Sequence, residues 1–118
     1  MATKNKECTR YYSSRQEDAV ARLLDGYRNS SSGSGNFSKS DVIVKSASLG
    51  VECKTCLEEK ASFSIKKEWL EKNKKEALSM RLDNSCLAFN FGPDQKNYFI
   101  IDEKLMRFLV EKLGELYE

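Results

Sequence analysis

Three side chains in the middle of the sequence have the types and spacing that phosphodiester chemistry needs: Asp41, Glu52 and Lys54. Side chains alternate along a strand, so Glu52 and Lys54 project from one face, and Val51, Cys53 and Thr55 from the other. A four-residue turn over 45–48 sets Asp41 directly across a hairpin from Glu52 on that same face. Two carboxylates without a histidine suit a hard cation with oxygen ligands, Mg²⁺ above all. Such an ion polarises a phosphoryl oxygen and lowers the pKa of a bound water. Lys54 is then placed to orient or deprotonate that water, or to neutralise charge developing on the phosphate. A solvated sheet face with a Glu52–Lys54 ion pair carries the same pattern, and spacing alone does not separate the two.

The composition narrows the chemistry further. The chain has 118 residues, 20 Lys+Arg against 18 Asp+Glu, and no histidine. That length fits one domain over residues 1–118. Without histidine there is no Ser-His-Asp or Cys-His nucleophile pair and no HExxH zinc site. Carboxylates, lysines, thiols or an oxygen-held metal are left. No run approaches the length of a membrane span, and MATKNKECTRYY has no apolar signal core, so an intracellular, cytoplasmic protein without a membrane partner is expected. Cys8, Cys53, Cys56 and Cys86 are read as reduced thiols. Cys53-x-x-Cys56 raises a zinc reading, but Cys8 and Cys86 are isolated singles and do not make the second short pair such a site wants.

The elements that must position these residues follow from pattern. Residues 1–12 read as a polar lead-in. Ser14-x-x-Glu17 reads as a capping box opening a helix that Gly26 ends. Glu17, Val20, Ala21 and Leu24 share its inward face. Residues 29–40 are rich in Ser and Gly and read as a flexible loop. DVIVK (41–45) and VECKTC (51–56) form a hairpin. Residues 62–80 form an amphipathic helix capped by Ser62 or Ser64, with Ile65, Trp69, Ala77 and Met80 inward. CLAFNF (86–91) and NYFII (97–101) are strands around a Gly92-Pro93-Asp94 turn. Asp102 caps a last helix with an apolar stripe of Leu105, Leu109, Leu113 and Leu116. The order α-ββ-α-ββ-α predicts an α+β or α/β domain, a central mixed sheet flanked by helices.

Glu17, then SGSGNFSKSD ending at Asp41, then Glu52-Cys53-Lys54, resembles the PD-(D/E)xK nuclease superfamily. Within it, the chain looks most like the small Holliday-junction resolvases of archaea and their phage relatives. The likeness runs from about residue 13 to the C-terminus, with Ser40 standing where the namesake proline would be. It implies a restriction-endonuclease-like core and a Mg²⁺-dependent endodeoxyribonuclease, with Mn²⁺ able to substitute, that cuts branched DNA such as a four-way junction as a homodimer. It further implies Asp41 and Glu52 as metal ligands with the backbone carbonyl of Cys53, and Lys54 as the catalytic lysine. Glu17 completes the site, directly or through metal-bound water.

Ser32 and Ser34 resemble the phosphate-contacting positions ahead of the motif aspartate. Basic residues gather before and after the site, with Arg10 and Arg15 in the N-terminal segment, Lys39 in the loop, and Lys66 and Lys67 at the middle helix. The final helix carries five acids against three bases. Arg10, Arg15, Ser32, Ser34, Lys39, Lys66 and Lys67 are therefore the expected DNA contacts. A flap, nick or restriction-like nuclease, and a non-catalytic DNA-binding module, are the alternatives.

Overall fold

In the computed structural model the described residues are 6–29 and 40–118, with side chains from residue 9 onward. Among the described residues three α-helices and five strands make an α+β domain. Helix α1 spans Lys6–Leu23 and is followed by β1 (Tyr27–Arg28), β2 (Val42–Val44) and β3 (Leu49–Lys54). Then come α2 (Lys67–Ser79), β4 (Asn84–Phe89), β5 (Tyr98–Ile100) and α3 (Glu103–Tyr117). The strands form one mixed sheet in chain order. β1, β2 and β3 run antiparallel in sequence, β4 lies parallel to β3, and β5 returns antiparallel to β4. The helix between β3 and β4 is what a parallel pair requires, because a tight turn cannot join parallel strands.

The two faces of the sheet carry different helices. Val42, Val44 and Val51 pack with Val20 and Ala21 of α1. Ile43, between the two valines, points the other way and packs with Ala77 of α2 and Leu82. Strand alternation thus divides β2 and β3 between two small cores. Glu52 and Lys54 belong to the α2 side with Gly50. Cys53 packs against the α1-side core as a small apolar group.

Several boundaries differ from the sequence reading. α1 does not open at Ser14; it begins eight residues earlier, at Lys6, so half of the expected lead-in is helical. No Gly or Pro interrupts residues 6–14. Tyr11 also supports the extra turns, accepting from Arg15 Nη1 at 3.2 Å and taking its guanidinium over the ring at 5.4 Å. Glu17 therefore sits inside the helix and caps nothing. Its far end is closed by Asp25, not Gly26. Asp25 takes the left-handed conformation (φ 55°), and Gly26 N–H reaches back to the Ala21 carbonyl at 2.8 Å. Gly26 is needed for closeness: a Cβ there would lie 2.5 Å from the Ile43 carbonyl oxygen.

Neither Ser62 nor Ser64 caps α2, which starts at Lys67 after extended backbone at Lys66. The preceding segment has no regular secondary structure and sets Phe63 into an aromatic cluster, 5.2 Å from the Phe89 ring and 6.4 Å from Trp69. β1 had no counterpart in the sequence reading, since two residues carry no period. β4 is shifted two residues earlier than expected. Asp102 does cap α3, accepting from Leu105 N–H at 2.9 Å. The leucine stripe of α3, however, is not buried: no α3 residue is, and Leu109, Leu113 and Leu116 are exposed. No helix among the described residues is long and apolar enough to cross a membrane.

Candidate functional site

The β2–β3 hairpin sets the two motif carboxylates. Val44 pairs with Leu49 around a 3-10 turn at Lys45–Ala47, and Ile43 and Val42 pair with Gly50 and Val51. Continued by one residue, that register places Asp41 opposite Glu52. The main chain keeps pairing there, as Asp41 N–H donates to the Val51 carbonyl at 2.9 Å. Asp41 Oδ2 is held by Cys53 N–H at 2.9 Å. The side chain of Glu52 is hydrogen-bonded to that of Asp41.

Two carboxylates sharing a hydrogen bond cannot both be ionised without something positive between them. Burial, followed by the hydrogen bond and charge of Asp41, holds Glu52 far above the usual carboxylate range, with Lys54 opposing. The pair thus keeps a proton near neutral pH, and a cation would take that proton's place.

Lys54 is on the same face, two residues along. Its ammonium sits 4.5 Å from the centroid of the Trp69 ring on α2, and Lys66 approaches the same ring at 5.8 Å. Sequence reading assigned Trp69 to the core; it is instead a half-buried platform beside the proposed lysine. From the other side of the sheet, Gln16 of α1 fixes the main chain at this point. Its Nε2 donates to the Lys54 carbonyl at 2.8 Å and to Asn97 Oδ1 at 3.1 Å. Gln16 is only 4% exposed, and its Oε1 has no partner.

Glu17 follows Gln16 and pairs with Arg28 at 3.3 Å. Burial first, and the charge of Asp41 second, push it up to about 7, against the pull of Arg28. Its electrostatic coupling to Asp41 brings it into the same neighbourhood, and the capping explanation is gone.

A buried amide ties this arrangement to α2. Asn73 accepts from Ser40 Oγ at 2.7 Å and donates to the carbonyls of Gly50 at 3.2 Å and Cys86 at 3.0 Å. Ser40 precedes Asp41, so Asn73 fixes the start of β2 against β3 and β4. Gly50 permits the close approach, since a Cβ there would lie 2.5 Å from Ser40 Oγ and 3.1 Å from Ala77 Cβ.

The donors suit a hard divalent cation: two carboxylates in contact, with the Cys53 carbonyl one residue on. Among the described residues no set of three or more acidic or cysteine side chains could by itself hold a metal ion. Oxygens from the main chain, water and a phosphate would have to complete the coordination, as is usual for Mg²⁺.

Of the expected DNA contacts, Arg10 is exposed, as are Lys66 and Lys67 at the start of α2. Arg15 is engaged by Asp94 at 2.6 Å, and Lys67 by Glu71 at 3.6 Å. Ser32, Ser34 and Lys39 lie outside the described residues.

Three contributors escaped the sequence reading: Gln16, Trp69 and Asn73. A signal existed for the α2 residues. Trp69 and Asn73 fall at i and i+4, the spacing of one helix face, and Asn73 is polar on a face that also carries Ala77. Gln16 left no sequence signal beyond its place beside Glu17. Compared with models of known families, with characterised proteins and with solved structures, the chain gives no match in any of the three.

Proposed function

We propose that this chain is a Mg²⁺-dependent endodeoxyribonuclease with a restriction-endonuclease-like core, acting on branched DNA in the manner of a Holliday-junction resolvase. The observation that carries the reading is the Asp41–Glu52 contact across β2–β3 with Lys54 on the same face. The sheet order supports it as well, with an antiparallel β1–β2–β3 meander followed by a helix and a parallel β4.

Asp41, Glu52 and the Cys53 carbonyl would hold the ion. When bound, it supplies Lewis acidity toward a phosphoryl oxygen and a lowered pKa for water. Lys54, kept in place by the Trp69 ring and by Gln16 on its carbonyl, neutralises charge developing on the phosphate. Glu17, with its affinity for a proton near neutrality, is placed to accept one in the same neighbourhood. Lys66 brings positive charge to the approach side for the DNA backbone.

A resolvase cuts two opposed strands, so the reading includes a homodimer. The apolar face of α3, exposed at Met106, Leu109, Val110 and Leu113, supports that part of it.

The test is cleavage of an immobile four-way junction compared with linear duplex, with and without Mg²⁺. Junction-selective, Mg²⁺-dependent cutting that Glu52→Gln and Lys54→Ala abolish is expected. Equal cutting of duplex would make this a nuclease of another specificity. Unchanged cutting by both variants would remove the site.

A further inference from the structure

Glu76 brings another carboxylate to the side of the sheet that holds Asp41 and Glu52. It lies on α2 three residues after Asn73 and seven after Trp69, on the helix face packed against β3 and β4. Along that face Trp69 meets Lys54 and Asn73 meets Gly50, so the contacts bracket Glu52 on β3. Only 7% of Glu76 is exposed, and its Oε1 is buried with no hydrogen-bond partner. Lys72, one turn earlier, comes no nearer than 3.8 Å and is itself 62% exposed.

An ionised carboxylate taken out of water without hydrogen bonds is costly, and simple folding gives no reason to keep one here. Its electrostatic neighbours are Asp41, Glu52, Lys54 and Lys72. Burial and Asp41 raise its affinity for a proton, while the two lysines oppose. The protein gives Glu76 Oε1 no hydrogen-bond donor, and the waters of a divalent cation that replaced the proton shared by Asp41 and Glu52 would supply one. The three side chains are not placed to ligate an ion together. Mg²⁺ keeps several of its waters, and groups that hydrogen-bond those waters orient the ion without touching it.

We propose that Glu76 is a positioning residue of the cation site, binding the hydration shell of an ion whose direct ligands are Asp41 and Glu52. This rests on the reading of that pair as a metal site, and it adds an acidic group from α2 that the motif does not contain.

The probe is Mn²⁺ alone, titrated calorimetrically into the full chain, with thermal melting in EDTA run in parallel. Wild type, Glu52→Gln, Glu76→Gln, Glu76→Asp and Lys72→Met are compared. Glu76→Gln is expected to weaken Mn²⁺ binding about tenfold or more, while melting in EDTA no lower than wild type because a buried charge has gone. Glu76→Asp should recover part of the affinity, and Lys72→Met should not weaken it.

Wild-type affinity in Glu76→Gln overturns the inference. So does a loss equal in the Gln and Asp variants and matched by lower melting in EDTA, which marks a merely structural role. If wild type itself binds no Mn²⁺, or Glu52→Gln binds as wild type does, the metal reading falls and the inference falls with it. Loss in Glu52→Gln with none in Glu76→Gln overturns the inference alone.

Discussion

The Lys54 ammonium lies over the face of Trp69, 4.5 Å from the ring centroid. A strand from the hairpin and a helix 13 residues further on thereby share one contact at the proposed site. The ring's negative face attracts the cation and limits where a flexible four-carbon stem can place it. Trp69 is also the only tryptophan in the chain, so its fluorescence reports on that contact.

Replacing Trp69 should therefore act on rate more than on binding. Losing about 1 kcal/mol of hold on Lys54 should lower the single-turnover cleavage rate of Trp69→Leu about fivefold, with Mn²⁺ affinity retained. Trp69→Phe should fall between. Lys54→Met should alter tryptophan emission without DNA present. Emission identical to wild type would mean that the ring and the ammonium are apart in solution.

Glu17 gives stability a pH dependence of known sign. Its carboxyl holds a proton up to about 7 in the folded chain, against an ordinary value of 4.5. The folded state therefore binds the extra proton between those values, and the stability it contributes falls as pH rises through that window. Thermal melts in EDTA across about pH 5 to 8 should fall for wild type and fall less steeply in Glu17→Gln, where Glu52 alone of the two still carries the raised proton affinity. Parallel curves for the two proteins would contradict the assignment.

Asn73 should be worth more to folding than its position on a helix suggests. Asn73→Leu leaves Ser40 Oγ and two carbonyls without their buried partner, which should cost about 2–4 kcal/mol by urea denaturation. Because Ser40 leads into Asp41, Mn²⁺ affinity should fall with it. A loss below about 0.5 kcal/mol would show that the three bonds are replaced by water.

The α3 face should control assembly and leave the fold alone. Leu109 and Leu113 are 41% and 52% exposed, so charging them removes little buried surface. Leu109→Glu with Leu113→Glu is expected to turn a dimer into a monomer by sedimentation, and to remove any concentration dependence of melting. A wild type that sediments as a monomer would remove the dimer from the proposed function.

The hairpin was legible because its constraints are local. Strand alternation, the β-branched run VIV and the length of the turn together fix Asp41 opposite Glu52, and nothing distant can shift that register without turning every side chain over. The inward face of α1 and the Asp102 cap were readable for the same reason. The start of α1 was not: the Ser14-x-x-Glu17 pattern is only a preference, and residues 6–13 contain nothing to stop a helix. The leucine period of α3 was read correctly as amphipathic, but a period states that a face is apolar and does not say what covers it.

The sequence by itself determined which carboxylates meet and which side of the strand carries them with Lys54. Only the tertiary structure decided what lies over them. Docking of α2 on that face turned Trp69 toward Lys54, sank Asn73 between β2, β3 and β4, and buried Glu76. The reason is that helix docking is set by interlocking volumes such as Gly50 against Ala77 and Ser40. A few polar side chains are buried as a consequence, and periodicity averaged along a helix does not reveal which.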